Sequence, residues 1–457
     1  MLWLGNAQYH GAWIVYVYYL LACIFPVGFY VVGYFLPRDV KDLTLLKILE
    51  LSFLFAGFEY LRLFVVCGFP FHTAGLILLP FDYLLILASV VGEYGLSFTV
   101  VMVGLYSAKC ILLNRPWRVV AFALMPILFG HLIHSSHLKS AKYSEKISVA
   151  IVQTGLKVEE KGIIPHFEDA YISMKDQLCS IWECVSTLEG VDLICLPEAA
   201  FAGDGVYDRY TKEDLEEIFP RELAAFFYGK EEFSNMDVFL GISLYLKVDV
   251  LIGLVVDREN AMFYLSGGKM VGTYVKRRLL PIGEYIPFDF LKPIAKLHGL
   301  EGSFKKGKSF DLLESKWRIL PTICFDEGFP QDFIRYHRLD PKMHINISND
   351  AWFIGSKLVN SHLAIGRLRS VENGMYSIRA GNIGVSAIIS PMGVVEKHLP
   401  TFDGNGLPYK GVLIDSFTPY KVETIFSKVG NPGLCLVVLM TVALMKLFSR
   451  REIFVKA

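Results

Sequence analysis

Three short strings place a carboxylate, an ammonium and a thiol directly after strand-like apolar runs. They are Leu196-Pro197-Glu198, then Tyr274-Val275-Lys276 running on to Leu280-Pro281-Ile282-Gly283-Glu284, and Thr322-Ile323-Cys324-Phe325-Asp326. The points where a chain leaves a rigid scaffold are where reactive groups are commonly presented. A cysteine nucleophile needs a base to take its proton and a positive group where oxyanion charge develops, and a Glu with a Lys fills both roles without a histidine. Taken one at a time the strings are bland. A Glu after a strand reads as a cap or surface acid, a Lys beside Arg277 and Arg278 reads as solvated charge, and a Cys at a strand end reads as core packing. The chemistry lies in the set of three.

The elements that must position this set alternate in type. Ile147 to Gln153, Val191 to Leu196, Val238 to Tyr245, Val250 to Val256, Trp317 to Cys324 and His344 to Ile347 read as short strands. Phe167 to Thr187, Phe329 to His337 and Ser361 to Tyr376 read as helices between them. Such alternation argues an α/β domain with a buried sheet.

Outside that region the chain is written for lipid. Of 457 residues 53% are hydrophobic, too many for an ordinary soluble enzyme, whereas 45 basic against 45 acidic residues recommend no nucleic acid partner. Trp13 to Leu36 is apolar without a charge and long enough to span roughly 30 Å of hydrocarbon. Met1 to Ala12 lacks the basic start of a signal peptide. Further spans read as Leu43 to Val66, Gly95 to Leu113, Val119 to Ile133 and Leu434 to Phe448. Ala74 to Val91 is apolar enough to cross but carries Pro80 and Asp82. If it only dips, Arg38, Lys41, Lys47, Lys109, Arg115, Arg118 and the basic tail share one side, as the positive-inside rule expects. In either topology the tail lies inside and Lys142 to Val429 outside. The expected division is transmembrane helices over 1–140, a catalytic domain over 145–425, and a last transmembrane helix with a cytoplasmic tail over 431–457.

The three strings, in this order, resemble the Glu-Lys-Cys triad of the nitrilase superfamily. Tyr274 to Pro287 is similar to the segment around the catalytic lysine in the apolipoprotein N-acyltransferase family. So is Asn346-Ile347-Ser348-Asn349-Asp350-Ala351-Trp352-Phe353, followed by His362, Arg369, Glu372, Arg379 and Asn382. Gly68-Phe69-Pro70, after a helix bearing Glu59 and Arg62, is similar to a membrane segment of the same enzymes. The resemblance implies a multi-pass α-helical membrane part plus an α/β nitrilase-like (αββα sandwich) domain on the outer, periplasmic side of the bacterial cytoplasmic membrane. It implies Glu198 as general base, Lys276 as oxyanion stabiliser and Cys324 as nucleophile, with Glu284, Asp326, Phe325, Asn349, Trp352 and His362 supporting them or binding substrate. The implied reaction moves an acyl chain from a membrane phospholipid, through a Cys324 thioester, to the N-terminal amine of a diacylated lipoprotein, without metal or organic cofactor. Three features depart from the family pattern: Asp326 stands where Glu is usual, Phe325 where Tyr is common, and about three of the family's eight spans have no counterpart.

Two other readings share these residues: a membrane-tethered nitrilase-type amidase in which water replaces the amine, and a non-catalytic lipid-binding protein that has kept the fold. His131, His134 and His137 look like ligands, but their spacing drifts around a helix, so a metal is not expected there. Trp352 and Phe353, on a loop after a strand, read either as core or as substrate-facing. The eight cysteines show no metal-ligand or paired spacing, and Cys179 and Cys184 fall on different faces of one helix.

Overall fold

The computed structural model describes residues 27–65, 68–161, 168–201, 209–227, 229–281, 283–297, 303–314, 316–354 and 357–455. The first part of the span expected over Trp13 to Leu36 lies outside them.

The N-terminal region is helical, with α1 (Val27–Phe35), α2 (Leu45–Leu61), α3 (Ala88–Leu112) and α4 (Pro116–Ser140). Thr44 caps α2 by accepting the Lys47 N–H, which satisfies one free donor of the first turn. Among the described residues, α3 and α4 are the two helices long and apolar enough to cross a membrane. Both run longer than the spans expected at Gly95 to Leu113 and Val119 to Ile133. α4 leaves Trp117, Val120, Leu124, Leu128, Phe129 and Leu132 exposed, a stripe that water does not tolerate and lipid does. The three α4 histidines do not converge on an ion: His131 and His134 pack against the Tyr83 ring, with centroids 5.5 and 5.6 Å away.

Ala74 to Val91 does not form one continuous helix. It is a 3-10 turn (Ala74–Leu78), a single helical turn (Asp82–Leu85) and the start of α3. Asp82 pairs with Arg367 at 3.1 Å, and Leu85 to Ala88 pack on Leu368, Val371 and Met392. At the other end of the helices, Lys109 donates to the Leu43 carbonyl, so the turn bearing Arg38 and Lys41 meets the basic end of α3.

Two six-stranded sheets follow. In chain order the strands are β1 (Ile147–Gln153), β2 (Leu193–Cys195), β3 (Asp249–Val256), β4 (Glu259–Ser266), β5 (Lys269–Val275), β6 (Leu313–Glu314), β7 (Arg318–Ile323), β8 (Met343–Ser348), β9 (Ser377–Gly381), β10 (Ala387–Ile389), β11 (Val395–His398) and β12 (Gly411–Phe417). One sheet has the order β12-β1-β2-β3-β4-β5 and the other β11-β10-β9-β8-β7-β6. Each has a parallel centre, β1-β2-β3 and β7-β8-β9, with antiparallel edges. Strand alternation builds the layers. From β1, Ile147, Val149 and Ile151 face the other sheet, meeting residues such as Ile319, Ile345 and Ile378. Ala150 and Val152 face outward onto α5 (Met174–Val185) and α6 (Asn235–Leu246). The second sheet is covered by α7 (Pro330–His337), whose Phe333 packs on His344, and by α8 (Leu358–Asn373). The result is the expected αββα sandwich. α9 (Ile425–Val455) leaves it through a kink at Gly430, after which Asn431-Pro432-Gly433 restarts the helix.

One expected strand is a helix. Val238 to Tyr245 lies inside α6, because Ser234 and Asp237 form a reciprocal capping box that opens a helix there. A short apolar run does not by itself distinguish the two states.

Candidate active site

The three strings converge at strand ends. Glu198 lies just beyond β2 and is followed by Ala199 in the left-handed region (φ 45°). Gly253 on β3 backs this turn: a Cβ there would stand 2.7 Å from the Glu198 Cα and the Pro197 carbonyl oxygen, so only glycine permits the approach. Lys276 is the first residue after β5. Cys324 is the first after β7, also left-handed (φ 49°), and opens the short turn Cys324–Gly328.

Lys276, 1% exposed, donates through Nζ to Glu198 Oε1 at 2.9 Å and Glu284 Oε1 at 2.7 Å. Asn260 on β4 donates to the same two oxygens at 2.6 and 3.0 Å. The second Glu198 oxygen accepts the Asn349 N–H at 2.9 Å, and the second Glu284 oxygen accepts the Leu280 N–H at 2.7 Å. Burial works against the Lys276 charge, but Glu198, Glu284 and Cys324 together raise its pKa well above the ordinary lysine value, so it stays an ammonium. Burial, reinforced by the Glu198 charge and opposed by Lys276, pushes the Cys324 thiol well up. Cys324 therefore rests protonated, and would have to lose that proton to act as a nucleophile.

The remaining expected residues fall around this centre. The Asp326 carboxylate accepts from the Tyr274 hydroxyl and from the N–H groups of Arg277, Arg278 and Ile323. Burial raises its pKa to about 6 against the pull of Lys276 and those hydrogen bonds. One methylene less than Glu thus still reaches the lysine turn. Asn349 Oδ1 accepts from Ala351 N and from Asn382 Nδ2. His362 Nδ1 lies 3.0 Å from Asp350 Oδ1, and its Nε2 lies 3.2 Å from the Cys324 carbonyl oxygen, which Asn346 also approaches. Trp352 is half-buried and packs on Val158, Ala351 and Ile383. Phe353 joins a separate aromatic cluster.

That cluster ties the site to the N-terminal helices. Phe71, between α2 and α3, has its ring centroid 6.0 Å from Phe325 and 6.2 Å from His362, and Phe325 packs on Phe329 at 5.2 Å. Leu63, Tyr94 and Phe353 complete the patch.

Cys324, Asp350 and His362 bring their ligand atoms within 4.8 Å of one another, the one such trio among the described residues. Both imidazole nitrogens already face oxygen partners and the Lys276 ammonium acts on the same thiol, so a cation would break those contacts and meet a fixed positive charge. The arrangement is a hydrogen-bond chain. Sequence reasoning misses two organisers of the site: Asp350, which figures only as one residue of the Asn346 to Phe353 string, and Asn260, whose one signal is a polar residue inside the apolar run of β4.

Compared with known proteins, residues 148–405 match the carbon-nitrogen hydrolase family and residues 1–106 match the apolipoprotein N-acyltransferase N-terminal domain. The apolipoprotein N-acyltransferase of Chlamydia pneumoniae is 26% identical across 99% of this chain and 87% of its own length. That of Geobacter metallireducens is 28% identical across 85% of this chain and 73% of its own. Among solved structures, Saccharomyces cerevisiae Nit3, a member of branch 10 of the nitrilase superfamily, aligns at 15% identity and a TM-score of 0.40 over 62% of this chain and 93% of its own.

Proposed function

The chain belongs to the apolipoprotein N-acyltransferase family within the carbon-nitrogen hydrolases, and from that premise we propose a two-step transfer centred on Cys324. The protein is a membrane enzyme, an N-acyltransferase of lipoproteins. In the first step the Cys324 sulfur attacks a phospholipid acyl ester. The S–C bond forms, the acyl–oxygen bond breaks, and Glu198 passes the thiol proton to the departing glycerol oxygen, leaving a lysophospholipid. Lys276 faces the oxyanion that develops on the carbonyl. In the second step the neutral N-terminal amine of a diacylglyceryl-cysteine attacks the thioester. The N–C bond forms, the C–S bond breaks, and Glu198 returns the amine's proton to the thiol.

The observation that carries this reading is the Phe71–Phe325 contact, which brings a residue from between the membrane helices beside the nucleophile. A lipid held by those helices needs its ester carbonyl at just such a junction, and confining both substrates to one surface shortens the search. Glu284 and Asp326 hold the lysine, Asn349 and His362 hold the base and the nucleophile's turn, and Trp352 and Phe325 line the approach. On this reading residues 1–140 supply the N-terminal transmembrane helices and 431–457 a last transmembrane helix with a cytoplasmic tail, in the inner membrane, with 145–425 on its periplasmic side. Two features support that topology: the Asp82–Arg367 pair, which favours a dipping segment, and the meeting of basic residues at one end of α2 and α3.

Mass spectrometry after incubation with phospholipid tests the route. About one acyl equivalent should appear on Cys324 and persist, because a site that waits as a thioester must keep water out. A diacylated lipopeptide with a free amine should discharge it, and an N-acetylated one should not. Continuous release of fatty acid without the lipopeptide would mean hydrolysis instead.

A further inference from the structure

Lys161 closes the short helical turn Val158–Lys161 beyond β1, and the reaction above gives it no part. Its side chain is buried, with 6% exposure, and Nζ donates to the carbonyl oxygen of Ala199 at 2.6 Å. Ala199 is the residue after Glu198 and one of the non-glycine residues with a positive φ (45°). For a residue with a Cβ that conformation is strained and persists only where surrounding contacts impose it. Three contacts impose it. Lys161 takes the Ala199 carbonyl from one side, the Ala200 N–H donates to the Gly253 carbonyl at 2.9 Å on the other, and the bare face of Gly253 lets β3 lie against Glu198. Burial lowers the Lys161 pKa to about 7 while the Glu198 charge raises it, so the two groups sense one another.

A buried lysine is a costly way to satisfy one carbonyl unless the turn it holds matters. We infer that Lys161 is a positioning residue for Glu198: by clamping the strained Ala199 turn it aims the Glu198 carboxylate at the Cys324 thiol. This rests on the reading of Glu198 as the base. It extends the machinery to a further side chain, on an element that carries none of the triad.

The test uses the full-length protein in detergent and two rates. One is alkylation of Cys324 by uncharged iodoacetamide, followed on its peptide, which requires removal of the thiol proton but no lipid. The other is single-turnover acylation by phospholipid. Lys161→Met keeps the stem and removes the donor; both rates should fall about tenfold or more, with the phospholipid concentration giving half-maximal acylation unchanged, since a misaimed base costs reaction rather than binding. Ala199→Gly removes the steric cost of the left-handed turn, so in that background the same change should cost less than about threefold. If Lys161→Met does not fold, Lys161→Gln, with a donor on a shorter stem, is read by the same two rates and the same background. Unchanged rates, an effect confined to lipid concentration, or an undiminished loss in the Ala199→Gly background would overturn the inference. Wild-type protein that alkylates normally but takes no acyl group from phospholipid would overturn the acyl-transfer reading instead, leaving the alkylation comparison to decide Lys161.

Discussion

The Asp326 carboxylate accepts the Arg278 N–H at 2.6 Å, so an acid on the nucleophile's turn holds the backbone that carries Lys276. Its other oxygen accepts from the Tyr274 hydroxyl at 2.8 Å and the Ile323 N–H at 3.2 Å, closing a ring around both strand ends. The nucleophile and the ammonium are thereby set by one side chain rather than by two independent loops.

Removing that side chain should separate them. Asp326→Ala leaves several buried donors without an acceptor, each costing about 1–3 kcal/mol where water cannot replace it. Acylation of Cys324 should slow by roughly 100-fold, the scale of a displacement near 1 Å. Single-turnover mass spectrometry measures it, and a near-normal rate in protein of normal thermal stability would show that the lysine turn is held by something else.

Acid should weaken the second sheet through His344. Its ring lies between Thr322 Oγ1 and Ser377 Oγ, each at 2.8 Å, and burial draws its pKa down to about 4. The unfolded chain takes that proton near pH 6.5 and the folded chain only near 4, so the unfolded state binds more protons between them. The contribution is present above pH 6.5 and is lost as pH falls toward 4, amounting to roughly 3 kcal/mol. Asp326, raised to about 6, acts in the opposite sense over the range from 3.8 to 6, so the comparison must be between variants. Thermal melts from pH 6.5 to 4.5 should fall more steeply for wild type than for His344→Gln; parallel curves would remove His344 as the cause.

A buried ion network joins α3 to α8. Arg369 donates to Glu93 at 2.7 Å and lies 3.2 Å from Glu372, with all three side chains fully buried. Arg369→Met strands two carboxylates and should cost about 3–5 kcal/mol, seen as a lowered melting temperature in detergent. A loss below about 1 kcal/mol would mean that the carboxylates share a proton or reach water.

The dipping segment offers a labelling test of topology. Ile77 and Phe81 are well exposed, at 67% and 58%. In a background lacking Cys67, cysteines at both positions should react with an impermeant thiol reagent from the outer side, and reporters fused after Ser140 and after Ala457 should lie on opposite sides of the membrane. Failure of both cysteines to react would mean that the segment lies in hydrocarbon, as a crossing span does.

The strings bearing Glu198, Lys276 and Cys324 stood out by their place after apolar runs, but each alone read as bland, and only the family resemblance joined them into a set. β1 was legible to the residue, since its apolar run stops at Gln153. Val238 to Tyr245 was not, because its helix depends on the Ser234–Asp237 capping box lying just outside the run. Asn260 was not either: it is a single amide whose role exists only once β4 lies beside the turn of Glu198 and the loop of Glu284.

By itself, then, the order of residues determined an α/β domain with a buried sheet and the apolar flanks, which follow from periodicity and composition over a few neighbours, whereas the grouping of Glu198, Lys276 and Cys324 came from the family resemblance and not from spacing. Only the tertiary structure decided what those groups are to one another. Lys276 is 78 positions from Glu198 yet bonded to it, and Phe71 rests against Phe325 across more than half the chain. Charge states decided in this way depend on burial and on through-space partners, and neither is a property of any local stretch. The left-handed turns at Ala199 and Cys324 belong to the same class. Their strain runs against local preference, and it is held only because Lys161, Gly253, Asn346 and His362 arrive from elsewhere in the fold.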